Sequence, residues 1–207
     1  MPTTTARATE ILMSEHEVIL DVLDCLEHVA EAAEHRGALD ERSAGQALDF
    51  LGVFADRCHH AKEEGALFPA LNRKGLPKEV GPVAVMLAEH EQGREAVAGM
   101  RAALAIGHAG LAAFVAHARA YVRLLRDHIA KENGVLFPMA DGMLSSADQA
   151  EVLRAFESVE HDDLGPGAHE RYLAIAKELG ERLGVQRPAS RGAPRAGGCC
   201  GHVASCA

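Results

Sequence analysis

Aromatic residues are scarce in this chain, at 4% of the total, and runs of β-branched residues are rare. A pleated sheet favours both, so their shortage excludes an all-β reading. Basic charge is also short. Lys and Arg number 21 against 30 Asp and Glu, a net charge of -9, which disfavours nucleic-acid binding. No stretch approaches the roughly 18 apolar residues of a membrane span. The first residues, MPTTTARATE, have no apolar signal core, so export is not expected. Cys25 and Cys58 stand alone inside helical patterns, and the other cysteines crowd the last residues. That is no disulfide framework and suits a reducing cytoplasm.

What is present is alanine, leucine and helical periodicity. The 207 residues allow one domain with a real core. Ile11, Leu12, Ile19, Val22, Leu23 and Leu26 fall on one face of a helix over residues 8–35, which Arg36-Gly37 ends. A second helix is predicted from Glu41 to Leu71, with Leu48, Leu51, Phe54 and Ala55 inward. After a Gly- and Pro-rich loop, a third runs from Pro82 to Ile106. The fourth spans Leu111 to Leu136, with Phe114, Val115, Val122, Leu125 and Ile129 as its stripe, and Pro138 ends or kinks it. Shorter helices are predicted near 146–159 and 166–184. Four long helices with short connections predict an all-α, antiparallel up-down-up-down four-helix bundle over 1–184, with a flexible Cys-containing tail over 185–207.

Two segments repeat. RCHHAKEEGALFP (57–69) and RDHIAKENGVLFP (126–138) are identical at nine of thirteen positions: R, H, A, K, E, G, L, F and P. SEHE (14–17) likewise resembles AEHE (88–91). Each half therefore supplies a histidine and then His-x-x-x-Glu: His16, His59 and Glu63, then His90, His128 and Glu132. Residues four apart share a helix face, with Cβ atoms roughly 5–6 Å apart, so each His-Glu pair can converge on one metal or on neighbouring metals. Imidazole with added carboxylates favours iron or manganese. The heights agree, because His16 lies roughly 12 Å into its helix and Glu63 about 12 Å before the end of the antiparallel neighbour. Two octahedral metals offer about twelve positions, of which roughly two stay open after a bridging oxygen, two bridging carboxylates and four histidines.

The pattern H…HxxxE…H…HxxxE resembles the hemerythrin-like, or HHE cation-binding, family over roughly residues 10–140. The resemblance implies two non-haem iron ions with carboxylate and oxo or hydroxo bridges, held by His16, His59, Glu63, His90, His128 and Glu132. The open positions suit a protein that binds or reacts with O2, NO or peroxide, and the sequence does not name a redox partner. In O2 carriers of the family a fifth histidine stands four residues from the third-helix histidine. Here Met86 and Arg94 occupy those distances from His90. That departure weakens reversible O2 carriage and favours a more exposed iron. Ferritin-like bundles use Glu-x-x-His, with the opposite order and a spacing of three. Alternative readings are an iron or redox sensor, an iron storage or donation protein, and a structural zinc bundle.

Other residues are weighed beside these. Lys62, Lys131 and Glu64 read as surface charges, and the LFP endings as helix stops that wall the site. His60 could supply a further nitrogen although it lies about 100° round the helix from His59. His169, and more weakly Glu160, could fold over from the C-terminal region. Tyr121 reads as packing. His28, His35, His108 and His117 read as exposed. Cys199, Cys200, His202 and Cys206 could hold a thiophilic metal or be a tail of accessible thiols.

Overall fold

The computed structural model describes residues 7–161, 165 and 167–185. The tail with Cys199, Cys200, His202 and Cys206 lies outside the described residues. Among those residues the chain is all helical, without strands. Helix α1 spans Ala8–Arg36 and closes on Gly37, whose φ of 66° is the left-handed turn that glycine adopts without a Cβ penalty. Helix α2, Glu41–Phe50, starts where the Asp40 carboxylate accepts from the Ser43 N–H. It continues as π-helical turns over Leu51–His60 and Glu63–Leu67 into α3, Phe68–Arg73. Helix α4 spans Pro82–Ala105 and α5 spans Leu111–Lys131. A further π segment, Glu132–Leu136, leads into α6, Phe137–Met143. Helices α7, Ser146–Val159, and α8, Ala168–Leu183, complete the chain.

The LFP motifs do not stop their helices. Proline lacks an N–H and crowds the carbonyl four residues back, which would break an α-helix. Here the preceding turn widens instead. The N–H of Phe68 reaches the Glu63 carbonyl, and that of Phe137 reaches the Glu132 carbonyl, five residues back in both cases. The chain passes Pro69 and Pro138 and stays helical to Arg73 and Met143. The π segments Glu63–Leu67 and Glu132–Leu136 each begin on the glutamate of a His-x-x-x-Glu motif.

Cross-helix pairs fix the directions. Along α1 and α5, Asp24 meets Arg126 at 2.7 Å and Glu34 meets Arg119 at 2.5 Å, so the two run antiparallel. Arg101 of α4 donates to the Leu48 carbonyl at 2.8 Å, and Arg94 donates to Asp56 at 2.8 Å. That pairing sets α4 antiparallel to the α2–π segment. Helices α7 and α8 lie outside these four segments. Tyr172 of α8 meets Phe50 of α2 edge-on at 6.2 Å.

The apolar interior is divided. One cluster contains Ile19, Leu23, Leu26, Leu51, Phe54, Phe114, Val122 and Ile129. The other contains Leu12, Leu67, Phe68, Met86, Leu136, Phe137 and Phe156. Each fully buried large side chain stabilises the fold by about 1.5–3 kcal/mol. Between the clusters, at the level of His16, Glu63, His90 and Glu132, lies a layer of buried polar groups.

Candidate metal centre

Four helical segments each send one to three side chains into that layer. His16 comes from α1, His59, His60 and Glu63 from the π-helical stretch, His90 from α4, and His128 and Glu132 from α5 and its π extension. The six side chains singled out from the sequence are all buried, at 0–1% exposure. They meet as two nests. In one, donor atoms of His16, His59, Glu63 and Glu132 lie within 4.8 Å of one another; in the other, those of His60, Glu63, His90 and His128 do.

Both glutamates face both nests. Glu63 Oε1 lies 3.5 Å from His59 Nε2, while its Oε2 lies 3.3 Å from His90 Nε2. Glu132 Oε2 lies 3.2 Å from His16 Nε2 and 3.3 Å from His128 Nε2. The inner atoms of this layer are buried without hydrogen bonds: His16 Nε2, His59 Nε2 and all four oxygens of Glu63 and Glu132. Burying an ionised carboxylate unpaired costs several kcal/mol, so such a layer suits a bound cation. Burial, and next the neighbouring Glu132 carboxylate, push the Glu63 carboxyl well above its usual range. Burial also lowers His59 to about 4 and His60 well below the ordinary imidazole value, which keeps both neutral and able to donate a lone pair.

The outer nitrogens of His16, His59, His90 and His128 are satisfied, whereas His60 Nδ1 has no hydrogen bond. His16 Nδ1 donates to Asn133 Oδ1 at 2.8 Å and His59 Nδ1 to Glu15 at 2.9 Å. His90 Nδ1 donates to Glu64 at 2.7 Å and His128 Nδ1 to Glu89 at 3.0 Å. A proton held on Nδ1 leaves Nε2 as the lone pair that faces inward, the arrangement usual for a metal-ligating histidine. Each accepting carboxylate has its own cation. Lys62 bonds Glu15, Arg94 bonds Glu64 at 2.6 Å, and Lys131 bonds Glu89. Glu63 and Glu132, by contrast, face only histidines in the ion pairs of the described residues, with no lysine or arginine beside them. This chain's residues thus fit one or two metal cations.

Several expectations are corrected here. Lys62 is not solvent-facing: it is fully buried between Glu15 and, at 2.5 Å, Glu160, with its ammonium 5.8 Å from the Phe156 ring. Burial alone would raise the Glu15 carboxyl, but its contacts with His59 and Lys62 hold it at about 2. Glu64 is not a free surface charge, because it supports His90. Lys131 is half exposed as expected but is tied to Glu89. His60, left open by the sequence, joins the second nest, its ring stacked 3.8 Å from that of His90. His169 stands 5.3 Å from Phe54 and near Glu15, Cys58 and Glu160, a group apart from both nests whose centre Lys62 already neutralises. Tyr121 is buried outside both nests, and His28, His35, His108 and His117 are exposed. The LFP phenylalanines do wall the layer: Phe137 stacks on His16 at 5.4 Å and Phe68 on His90 at 5.9 Å.

The supporting acceptors Glu15, Glu89 and Asn133 were missed by the sequence reading. Their signal was the repeat itself. Glu15 and Glu89 stand immediately before a nest histidine, and Glu64 and Asn133 immediately after a nest glutamate. One residue along a helix turns about 100°, so each neighbour faces the adjacent helix and not the pocket.

Similarity to known proteins agrees with the geometry. The sequence model of the hemerythrin HHE cation binding domain matches residues 7–140. Uncharacterized proteins of Mycobacterium tuberculosis and Mycobacterium bovis are 25% identical over 186 residues, spanning 86% of this chain and 71% of theirs. With both halves of the donor set buried at one level and the match extending over most of the helical chain, the protein belongs to the hemerythrin HHE cation-binding domain family.

Proposed function

We propose that the chain is a non-haem di-iron protein that binds or reacts with O2, NO or peroxide. Its frame is an antiparallel up-down-up-down four-helix bundle within a domain reaching to residue 184, with α7 and α8 packed outside. The antiparallel pairings of α1 with α5 and of α4 with the α2–π segment support that frame. His16 and His59 would hold one iron and His90 and His128 the other, with Glu63 and Glu132 within reach of both. His60 adds a nitrogen on the second side. The observation that carries this reading is Glu63, whose two oxygens face histidines of different nests at 3.5 and 3.3 Å. A carboxylate so placed joins two cations.

When bound, iron supplies one-electron chemistry toward small oxygen and nitrogen compounds. The residues of this chain do the rest. Glu15, Glu64, Glu89 and Asn133 fix each imidazole's tautomer and orientation. Phe68, Phe137 and the apolar clusters exclude bulk water and hold the spacing. Asp and Glu are in excess overall, and no described helix is long and apolar enough to cross a membrane, so the reading requires neither nucleic acid nor bilayer. The free buried thiols Cys25 and Cys58 suit a reducing compartment such as the cytoplasm.

Peroxide turnover on the iron-loaded protein tests the function. Sustained O2 release, abolished in Glu63→Ala with Glu132→Ala, supports an enzyme acting on peroxide. A single stoichiometric spectral change supports a carrier or sensor. No response to O2, NO or peroxide contradicts the proposal.

A further inference from the structure

The two halves of the metal layer differ in what covers them. On the His59 side, Glu15, Lys62 and Glu160 close over the nest, and Lys62 is fully buried. On the other side, a cavity of about 190 Å³ opens between the π-helical stretch, α4 and α5, and is lined by Gly52, Asp56, His60, Gly93, Val97 and Tyr121 among others. His60 belongs both to this cavity and to the second nest. A second cavity nearby, of about 400 Å³, is lined by Glu64 and Phe68 but by no residue of either nest.

The geometry points to the cavity at Gly93 and His60 as the route by which small uncharged molecules reach the metal position held by His90 and His128. This inference rests on the di-iron reading and adds to it a side of approach and a class of ligand. Size is the first reason. A water occupies roughly 30 Å³ of the liquid, so 190 Å³ admits a few waters or a diatomic but no drug-sized ligand. Charge is the second. Both arginines that line the cavity are already paired, Arg94 with Asp56 and Glu64 and Arg101 with Asp49 and the Leu48 carbonyl, and Asp56 lies 3.5 Å from His60 Nδ1. An anion would gain little there and would meet the Asp56 carboxylate. The third reason is the glycine pair. Added Cβ atoms would stand 3.5 Å from Tyr121 Cε2 at Gly93 and 3.1 Å from Arg101 Nη2 at Gly52, so larger side chains there would fill the space.

Two measurements test this. In the iron-loaded ferrous protein, Gly93→Leu should slow the NO on-rate by about tenfold or more, while Gly93→Ala stays within about twofold. Iron content must match the wild type in both. An unchanged on-rate in the leucine variant with full iron would overturn the inference. In metal-free wild-type protein, dissolved O2 should broaden the amide resonances of Gly93 and Tyr121 beyond those of the similarly buried Leu23 and Leu26. Equal broadening would overturn the inference without any variant, and it decides alone if the leucine variant loses iron. Failure of the wild type to take up iron would instead strike the di-iron reading and leave the O2 measurement valid.

Discussion

His59 Nδ1 donates to Glu15 at 2.9 Å, across from the π-helical stretch to α1. The same bond recurs between His128 and Glu89 at 3.0 Å. Sequence repetition has thus duplicated the support of the converging histidines as well as the histidines themselves. The two copies differ in burial: Lys62 behind Glu15 is sealed, whereas Lys131 behind Glu89 is 42% exposed.

Glu89→Gln keeps an acceptor for His128 but removes the charge. Metal affinity, read by competition with a chelator, should fall about 10–100-fold with thermal stability nearly unchanged. Glu15→Gln should weaken metal binding similarly and also lower stability, because Lys62 is left buried with less compensation. Equal melting temperatures for the two variants would show that the burial difference has no energetic consequence.

Lys62→Met should cost about 3–5 kcal/mol in denaturant unfolding, since it strands the buried Glu15 charge. Lys131→Met breaks a more exposed pair and should cost about 0–1 kcal/mol. A cost for Lys62→Met no larger than that for Lys131→Met would mean the buried network does not hold the fold.

Replacing Glu63 and Glu132 together by methionine removes two buried carboxyl groups whose oxygens have no hydrogen-bond partner. The metal-free variant should be at least as stable as the metal-free wild type, because apolar groups of similar volume replace unpaired carboxylates. Added iron should raise the melting temperature of the wild type only, as a ligand that binds the native state must. Stabilisation of the variant by iron would place the binding elsewhere.

Phe137→Ala should destabilise the protein by about 3–5 kcal/mol and expose His16. Urea unfolding gives the first quantity. A change below about 1 kcal/mol would mean that the LFP wall does not pack as described.

Much of this was legible in the sequence. Helical periodicity placed the ends of α1 and α4 within a few residues, because Gly37 and Pro82 carry local signals. The donor set was legible because two motifs of the same spacing recur in the same order. The passage of helices through Pro69 and Pro138 was not, since a π turn depends on five-residue hydrogen bonds that no propensity reports. Nor was the burial of Lys62. On sequence it is a lysine beside glutamates, and only the packing of α7 at Glu160 and Phe156 encloses it.

Anaerobic titration of the metal-free protein with ferrous iron, followed by metal analysis after desalting, tests the central claim most directly. The account predicts uptake that saturates at two irons per chain and collapses in Glu63→Ala with Glu132→Ala. Saturation at one metal, or full uptake by the double variant, would contradict it.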